Sequence, residues 1–174
     1  MLQQVSSSIS PMLVFASGLI FVAAALHDVA SRTLPNGMAV ALALVGLLAR
    51  LLDRTLILGV ICGFVVFAGA AFCWRRGWMG GGDVKLIGAA GIAVPPHLVL
   101  SFLVVMSLSG AGLAVVYLIG RSLPAPRSGA RPGTLLRRIL RVERWRLHRG
   151  GPLPYACAIA AGGVFVLFMN GGVR

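Results

Sequence analysis

The stretch Gly80-Gly81-Gly82-Asp83-Val84-Lys85-Leu86 places three glycines and an aspartate directly before an apolar run. The chain is otherwise nearly free of acid, with only four Asp and Glu among its 174 residues. A carboxylate in an apolar membrane segment costs roughly 2.5–3.5 kcal/mol on insertion scales, so Asp83 is a candidate functional residue. Glycine lets another backbone approach closely. We therefore expect Gly80, Gly81 and Gly82 to form a loop that gives access to Asp83.

The composition predicts a helical membrane protein. Hydrophobic residues make up 58% of the chain and aromatic residues only 7%, while glycine is abundant. This mixture suits helices that pack closely in lipid better than it suits a soluble core. We expect one all-α domain over residues 1–174, a polytopic transmembrane bundle of about six helices. The apolar segments are residues 11–26, 38–52, 55–74, 84–94, 98–120 and 155–170.

The fourth apolar segment is short. It meets Pro95-Pro96 eleven residues after it begins, which corresponds to roughly 17 Å, about half the thickness of the hydrocarbon layer. If the prolines mark the far interface, Asp83 lies below the near one. Non-helical backbone is tolerated at that depth only beside protein or water. We therefore expect the glycine loop to line a wet cavity inside the membrane.

The net charge of +12 is concentrated in one place. Nine of the sixteen basic residues lie in residues 121–151, between apolar segments. This pattern favours a cytoplasmic loop on anionic lipid, with an amphipathic helix at residues 135–148, over a nucleic-acid partner. With the amino terminus outside, thirteen basic residues fall inside and three outside, in keeping with the positive-inside rule.

That orientation brings Asp28 and Asp83 to the cytoplasmic side, each at a helix end, whereas Asp53 falls on the opposite side. Asp28 lies in a predicted polar turn, residues 27–36. Two carboxyls held close together cannot both ionise, so one keeps its proton. Such a pair can activate water and stabilise a tetrahedral intermediate, as in aspartic proteases. The histidines and cysteines show no ligand spacing, so we expect no metal and no cofactor.

Simpler interpretations of these residues remain open. Asp83 suits an N-cap, because Gly-Gly-Asp before a helix is favourable capping chemistry. Asp28 suits a solvated helix end paired with Arg32. Arg50, near the end of the second segment, and Lys85 are long enough to snorkel to the interface. Spacing alone does not establish that the two aspartates meet.

The two aspartate segments carry a family resemblance. Asp28-Val29-Ala30-Ser31-Arg32-Thr33-Leu34-Pro35-Asn36 resembles the first-aspartate motif of type IV prepilin peptidases. The stretch at residues 80–86 resembles their G-x-G-D motif, which other intramembrane aspartic proteases share. Residues 154–162 are similar to the segment that opens the last helix of the family. The similarity covers nearly the whole chain in order and spacing.

The resemblance implies a membrane endopeptidase that removes the leader of pilin-like precursors at the cytoplasmic face of the bacterial inner membrane. Asp28 and Asp83 would be the catalytic pair. The supporting residues would be Gly80, Gly81, Gly82, Lys85, Arg32, Pro35 and Asn36. The short form resembles the peptidases of tight-adherence (Flp-type) pilus systems. The cysteine-containing amino-terminal region of larger, methylating members has no counterpart, so we expect no methylation.

Two other functions fit the same sequence features. A preflagellin-type leader peptidase would use the same chemistry on another precursor. A non-enzymatic membrane subunit of a secretion or pilus system would account for the glycine-rich packing and the basic loop, and would tolerate loss of both aspartates. The sequence does not distinguish the precursor, its cleavage site or the oligomeric state.

Overall fold

A computed structural model describes the backbone of residues 2–122 and 153–171, and the side chains of residues 11–122 and 153–169. Within these ranges the chain forms six α-helices, one 3-10 turn and no strand. The helices are α1 (Leu2–Ser31), α2 (Asn36–Leu52), α3 (Leu56–Arg75), α4 (Gly81–Ala93), α5 (Val99–Ser122) and α6 (Tyr155–Gly171), with the 3-10 turn Pro96–Leu98 before α5. The predicted all-α bundle with a short fourth helix is confirmed.

The helices have the length and surface of membrane segments. Three stretches, Pro11–Ser31, Leu56–Arg75 and Pro96–Ser122, are long and apolar enough to cross a membrane. Large apolar side chains remain exposed along all three, as Phe15, Phe64 and Leu100 illustrate at 68%, 70% and 73%. Exposed apolar surface on this scale marks contact with lipid or with a partner. The chain is therefore a membrane protein.

The chain divides into two compact units. The first comprises Met1–Gly110 and Pro154–Arg174, and the side chains discussed below belong to it. The second comprises Ala111–Leu153. Its described part is the end of α5, as far as Ser122, together with Leu153. The predicted basic loop at residues 121–151 begins later than expected, because Arg121 and Ser122 still belong to α5. The rest of that loop lies outside the described residues, as does its predicted amphipathic helix at residues 135–148.

Helix α4 lies at the centre of the first unit, where it packs between α2 and α3. Eight of its 13 residues are buried. The helix begins after Gly80, which is extended at φ −71° and ψ 144°. It ends at Val94, because a residue before proline is forced into extended backbone, here φ −75° and ψ 137°. At 1.5 Å per residue α4 is roughly 20 Å long, too short to cross a bilayer.

Small residues let α2 and α3 approach α4 closely, as is common for helices in lipid. A Cβ atom at Gly46 of α2 would lie only 2.7 Å from the Cα atom of Ala93. A Cβ atom at Gly91 would lie 3.0 Å from the Cα atom of Gly63 of α3. Gly63 of α3 therefore packs against α4, whereas Gly59 of the same helix faces the Arg50 side chain of α2.

The first helix is longer than predicted. We expected a polar turn over residues 27–36, but α1 continues through Asp28 to Ser31. Side chains stabilise its last turn, since the Ser31 hydroxyl donates to the His27 carbonyl at 2.8 Å. Arg32 then adopts a left-handed conformation, φ 57°, and its N–H donates to the Asp28 carbonyl at 2.8 Å. This αL cap ends the helix and leaves Asp28 inside its final turn.

Two other local predictions also need correction. Gly81 and Gly82 belong to the first turn of α4 instead of a loop before it, and Gly80 alone is extended. Arg50 does not reach outward from the end of α2. Its side chain is only 5% exposed and pairs with Asp53 at 3.2 Å. The absence of a side chain at Gly59 makes room for it, since a Cβ atom there would lie 2.6 Å from the Arg50 Cγ atom.

Candidate active site

Asp28 links the first helix to the last. It lies in the final turn of α1 and is only 6% exposed. Its Oδ2 atom accepts a hydrogen bond from the backbone N–H of Ala156 at 3.1 Å. Ala156 is the second residue of α6, and the first N–H groups of a helix have no acceptor within that helix. A carboxylate at this position satisfies one of them and is favoured by the helix dipole.

Removal of this acceptor is expected to destabilise the protein. Asp28→Ala leaves the buried N–H of Ala156 without its acceptor, which typically costs about 1–3 kcal/mol of unfolding free energy. Asp28→Asn keeps an amide oxygen in the same place and should cost clearly less. Thermal unfolding of both purified variants in one detergent measures the difference. Equal loss of stability in the two variants would contradict the role of Asp28 as the acceptor.

Asp83 lies in the first turn of α4 and is half-buried. It is the third helical residue after the cap Gly80, and its carboxylate accepts a hydrogen bond from the Gly80 backbone. An acidic residue three positions after the cap makes the same contact in capping boxes. The N-cap interpretation is therefore wrong in its original form, because the cap is Gly80.

Residues at the start of α6 lie within electrostatic range of the two aspartates. Asp28 and Asp83 lie close enough for their negative charges to act on each other. The Tyr155 side chain is within electrostatic range of Asp83. The Cys157 thiol is within range of Asp28 and of the Arg32 guanidinium. The carboxyls of α1 and α4, which are 55 positions apart in the sequence, thus lie within electrostatic range of each other.

Each glycine before Asp83 has a close neighbour, and a Cβ atom at Gly80 or Gly82 would crowd it. A Cβ atom at Gly80 would lie 3.0 Å from the Asp83 Oδ2 atom, and one at Gly82 would lie 3.0 Å from the Cβ atom of Leu34. At Gly81 the neighbour is the Trp74 ring nitrogen, 3.4 Å away. The glycines therefore serve close packing around the carboxylate in this structure, instead of forming an open loop.

Lys85 and Asn36 connect the two aspartate segments. The Lys85 ammonium donates a hydrogen bond to the Asn36 Oδ1 atom at 2.8 Å. Asn36 is the first residue of α2, and Pro35 before it is extended, which starts that helix. Together with the contact between Leu34 and Gly82, this bond fixes the segment after α1 against the first turns of α4. The sequence indicated only that Lys85 is long enough to snorkel. The structure shows that its ammonium group binds Asn36.

Sequence reasoning missed the contribution of α6. The segment 154–162 was noticed only through its resemblance, and no chemical role followed from it. The relevant group is a backbone N–H of an alanine, which leaves no signature in a sequence. Only the position of Ala156 at a helix start, after Pro154, indicates that such a donor exists.

The chemistry open to this site is that of two neighbouring carboxyls. One carboxyl in ionised form can take a proton from water, and the other in protonated form can donate to a carbonyl oxygen. In the part of the chain that the structure describes, His, Cys, Asp and Glu form no group of three that could hold a metal ion. The described side chains thus offer acid–base groups beside a glycine-packed helix end.

The chain is similar to one described protein family over more than half of its length. The sequence model of the Type IV leader peptidase family matches residues 13–115 of the chain, a range that includes both Asp28 and Asp83. No curated protein and no solved structure matches the chain significantly.

Proposed function

Since the chain belongs to the type IV leader peptidase family, we propose that it is an aspartic endopeptidase that removes the leader from Flp-like prepilins. The observation that supports this proposal is that Asp28 and Asp83, at the ends of two different helices, lie within electrostatic range of each other. The excess of basic residues on one side supports an inner-membrane location with the site at the cytoplasmic face. We also propose that the basic residues in the stretch 121–151 contact anionic membrane lipid.

The proposed reaction needs only the two carboxyls and one water molecule. The ionised carboxylate takes a proton from the water molecule, and the water oxygen attacks the scissile carbonyl carbon. The protonated carboxyl gives its proton to the carbonyl oxygen, and a neutral tetrahedral diol results. When the C–N bond breaks, the leaving nitrogen takes a proton from one carboxyl, and a diol hydroxyl returns its proton to the other. The products are a leader with a new carboxyl terminus and a mature chain with a free amine.

The structure suggests how each aspartate would be held for this work. The N–H of Ala156 fixes one carboxylate oxygen of Asp28. The Gly80 backbone fixes Asp83 in the first turn of α4. Catalytic groups contribute most when their geometry is set before the substrate arrives. Four further residues would act indirectly, by holding in place the helix ends that carry Asp28 and Asp83. These residues are Lys85, Asn36, Pro35 and Arg32.

Co-expression with candidate precursors tests the proposal. The full chain is produced together with a Flp-like prepilin, and loss of the leader is read from the mass of the precursor. We expect cleavage just before the apolar segment of the prepilin. A preflagellin serves as the comparison, and selective cleavage of that precursor would favour the preflagellin-type function. Absence of cleavage of every precursor by a folded, inserted chain would contradict the proposal and favour a non-enzymatic subunit.

A further inference from the structure

An open apolar groove of about 550 Å³ runs between α2, α3 and α4. This volume lies within the range of small-molecule sites. Its wall is formed mostly by apolar and small residues, among them Ala43, Phe64, Phe67, Gly88 and Ile92. Asn36 and Lys85 also line it. Among the described lining residues, Lys85 alone carries a charge.

The charge lies at one end of the groove. Lys85 is in the second turn of α4, and its ammonium donates to Asn36 at 2.8 Å. An ammonium group has three donors, so this bond leaves others for an anion. None of the described residues that line the groove is acidic, so none would compete for them. From Lys85, the α4 wall continues along Gly88, Ala89 and Ile92, which repeat at helical spacing on one face.

The helical repeat separates this groove from the aspartates. Successive residues of an α-helix are about 100° apart, so Lys85 lies roughly 200° around α4 from Asp83. The path from the groove to Asp83 around the first turn of α4 is also filled, because Leu34 contacts Gly82 and Asn36 is bound to Lys85. A peptide lying in the groove would therefore be on the wrong side of α4 for cleavage. An occupant that needs only an apolar channel and one cation suits the groove better.

We propose that this groove binds one anionic phospholipid, with an acyl chain along α4 and its phosphate on Lys85. The flanking side chains agree with a position open to the bilayer, since Phe64 is 70% exposed and Val40 is 56% exposed. The lipid would complete the packing between α2 and α3 over the helix that carries Asp83. This inference does not depend on the proposed peptidase function, because it concerns binding alone.

Native mass spectrometry of the full chain tests the site. The protein is equilibrated with equal amounts of phosphatidylglycerol and phosphatidylcholine, and the lipid that stays bound is weighed. We expect a preference for phosphatidylglycerol of roughly fivefold, the factor that one lysine contributes near anionic lipid. Lys85→Gln should abolish the preference, and Lys85→Arg should keep it.

A second pair of variants tests the acyl channel. Ala43→Trp places a large side chain within the groove and should reduce retention of both lipids. Leu44→Trp adds the same ring on the neighbouring exposed position, which does not line the groove, and should leave retention unchanged. The proposal is overturned if Lys85→Gln keeps the headgroup preference or if the two tryptophan variants behave alike. Displacement of the bound lipid by a prepilin would also overturn it and would assign the groove to substrate.

Discussion

Asparagine in place of Asp28 or Asp83 is expected to lower the rate of leader cleavage by a factor on the order of 10³ or more. An amide can neither take a proton from water nor donate one as an acid does, so either change removes half of the proposed proton transfer. The fold should survive, because Asn at position 28 can still accept from Ala156. A single-turnover assay with detergent-purified enzyme and prepilin measures the rate.

Asp53→Asn is the matched control for these variants. Asp53 is the remaining aspartate, and it lies at the end of α2 in an ion pair with Arg50 instead of near the other two. Its replacement should leave the cleavage rate within a few-fold of the unmodified enzyme. Cleavage at the original rate by either Asp28→Asn or Asp83→Asn would refute the aspartic mechanism. A large loss in Asp53→Asn alone, with an unfolding temperature equal to that of the unmodified enzyme, would place the site at the opposite helix ends.

A single methyl group at Gly46 is expected to lower the unfolding free energy by about 1–3 kcal/mol, the usual cost of overpacking a core. The new Cβ atom would lie 2.7 Å from the Cα atom of Ala93, and backbone cannot move aside as a flexible side chain can. Helices α2 and α4 would have to separate. The effect should appear as a lower unfolding temperature in detergent.

Gly69→Ala provides the comparison on α3. A Cβ atom at Gly69 meets nothing within 4 Å. Alanine is a better helix former than glycine by up to about 1 kcal/mol, so this variant should be as stable as the original or more so. If Gly46→Ala were equally harmless, the close approach of α2 to α4 would not contribute to stability.

The helices were predictable because their apolar runs are long and end at turn residues. Pro95-Pro96 correctly marked the end of α4, since proline constrains the residue before it. The prediction was less accurate for helix ends that are defined by side-chain capping. The polar residues around Asp28 suggested a turn, yet His27, Ser31 and Thr33 bond to one another and to the backbone and extend α1 instead. Capping of this kind depends on geometry that composition does not reveal.

The two aspartates were found from their rarity and their place at helix ends, and the family match includes both. Their surroundings were not predictable to the same degree. The bond between Lys85 and Asn36 joins residues 49 positions apart, and the one between Ala156 and Asp28 joins residues 128 positions apart. Glycines 80–82 suggested an open loop because sequence does not distinguish glycine used for flexibility from glycine used for close packing.

The bond between Ala156 and Asp28 also bears on when the protein becomes competent. During translation, Asp28 and Asp83 leave the ribosome long before Ala156 does, so a nascent chain carries both carboxyls without the donor that orients one of them. On the proposed mechanism, such a chain cannot yet cut the precursors around it. Activity would then begin with insertion of α6, which makes the order of synthesis a safeguard against premature proteolysis.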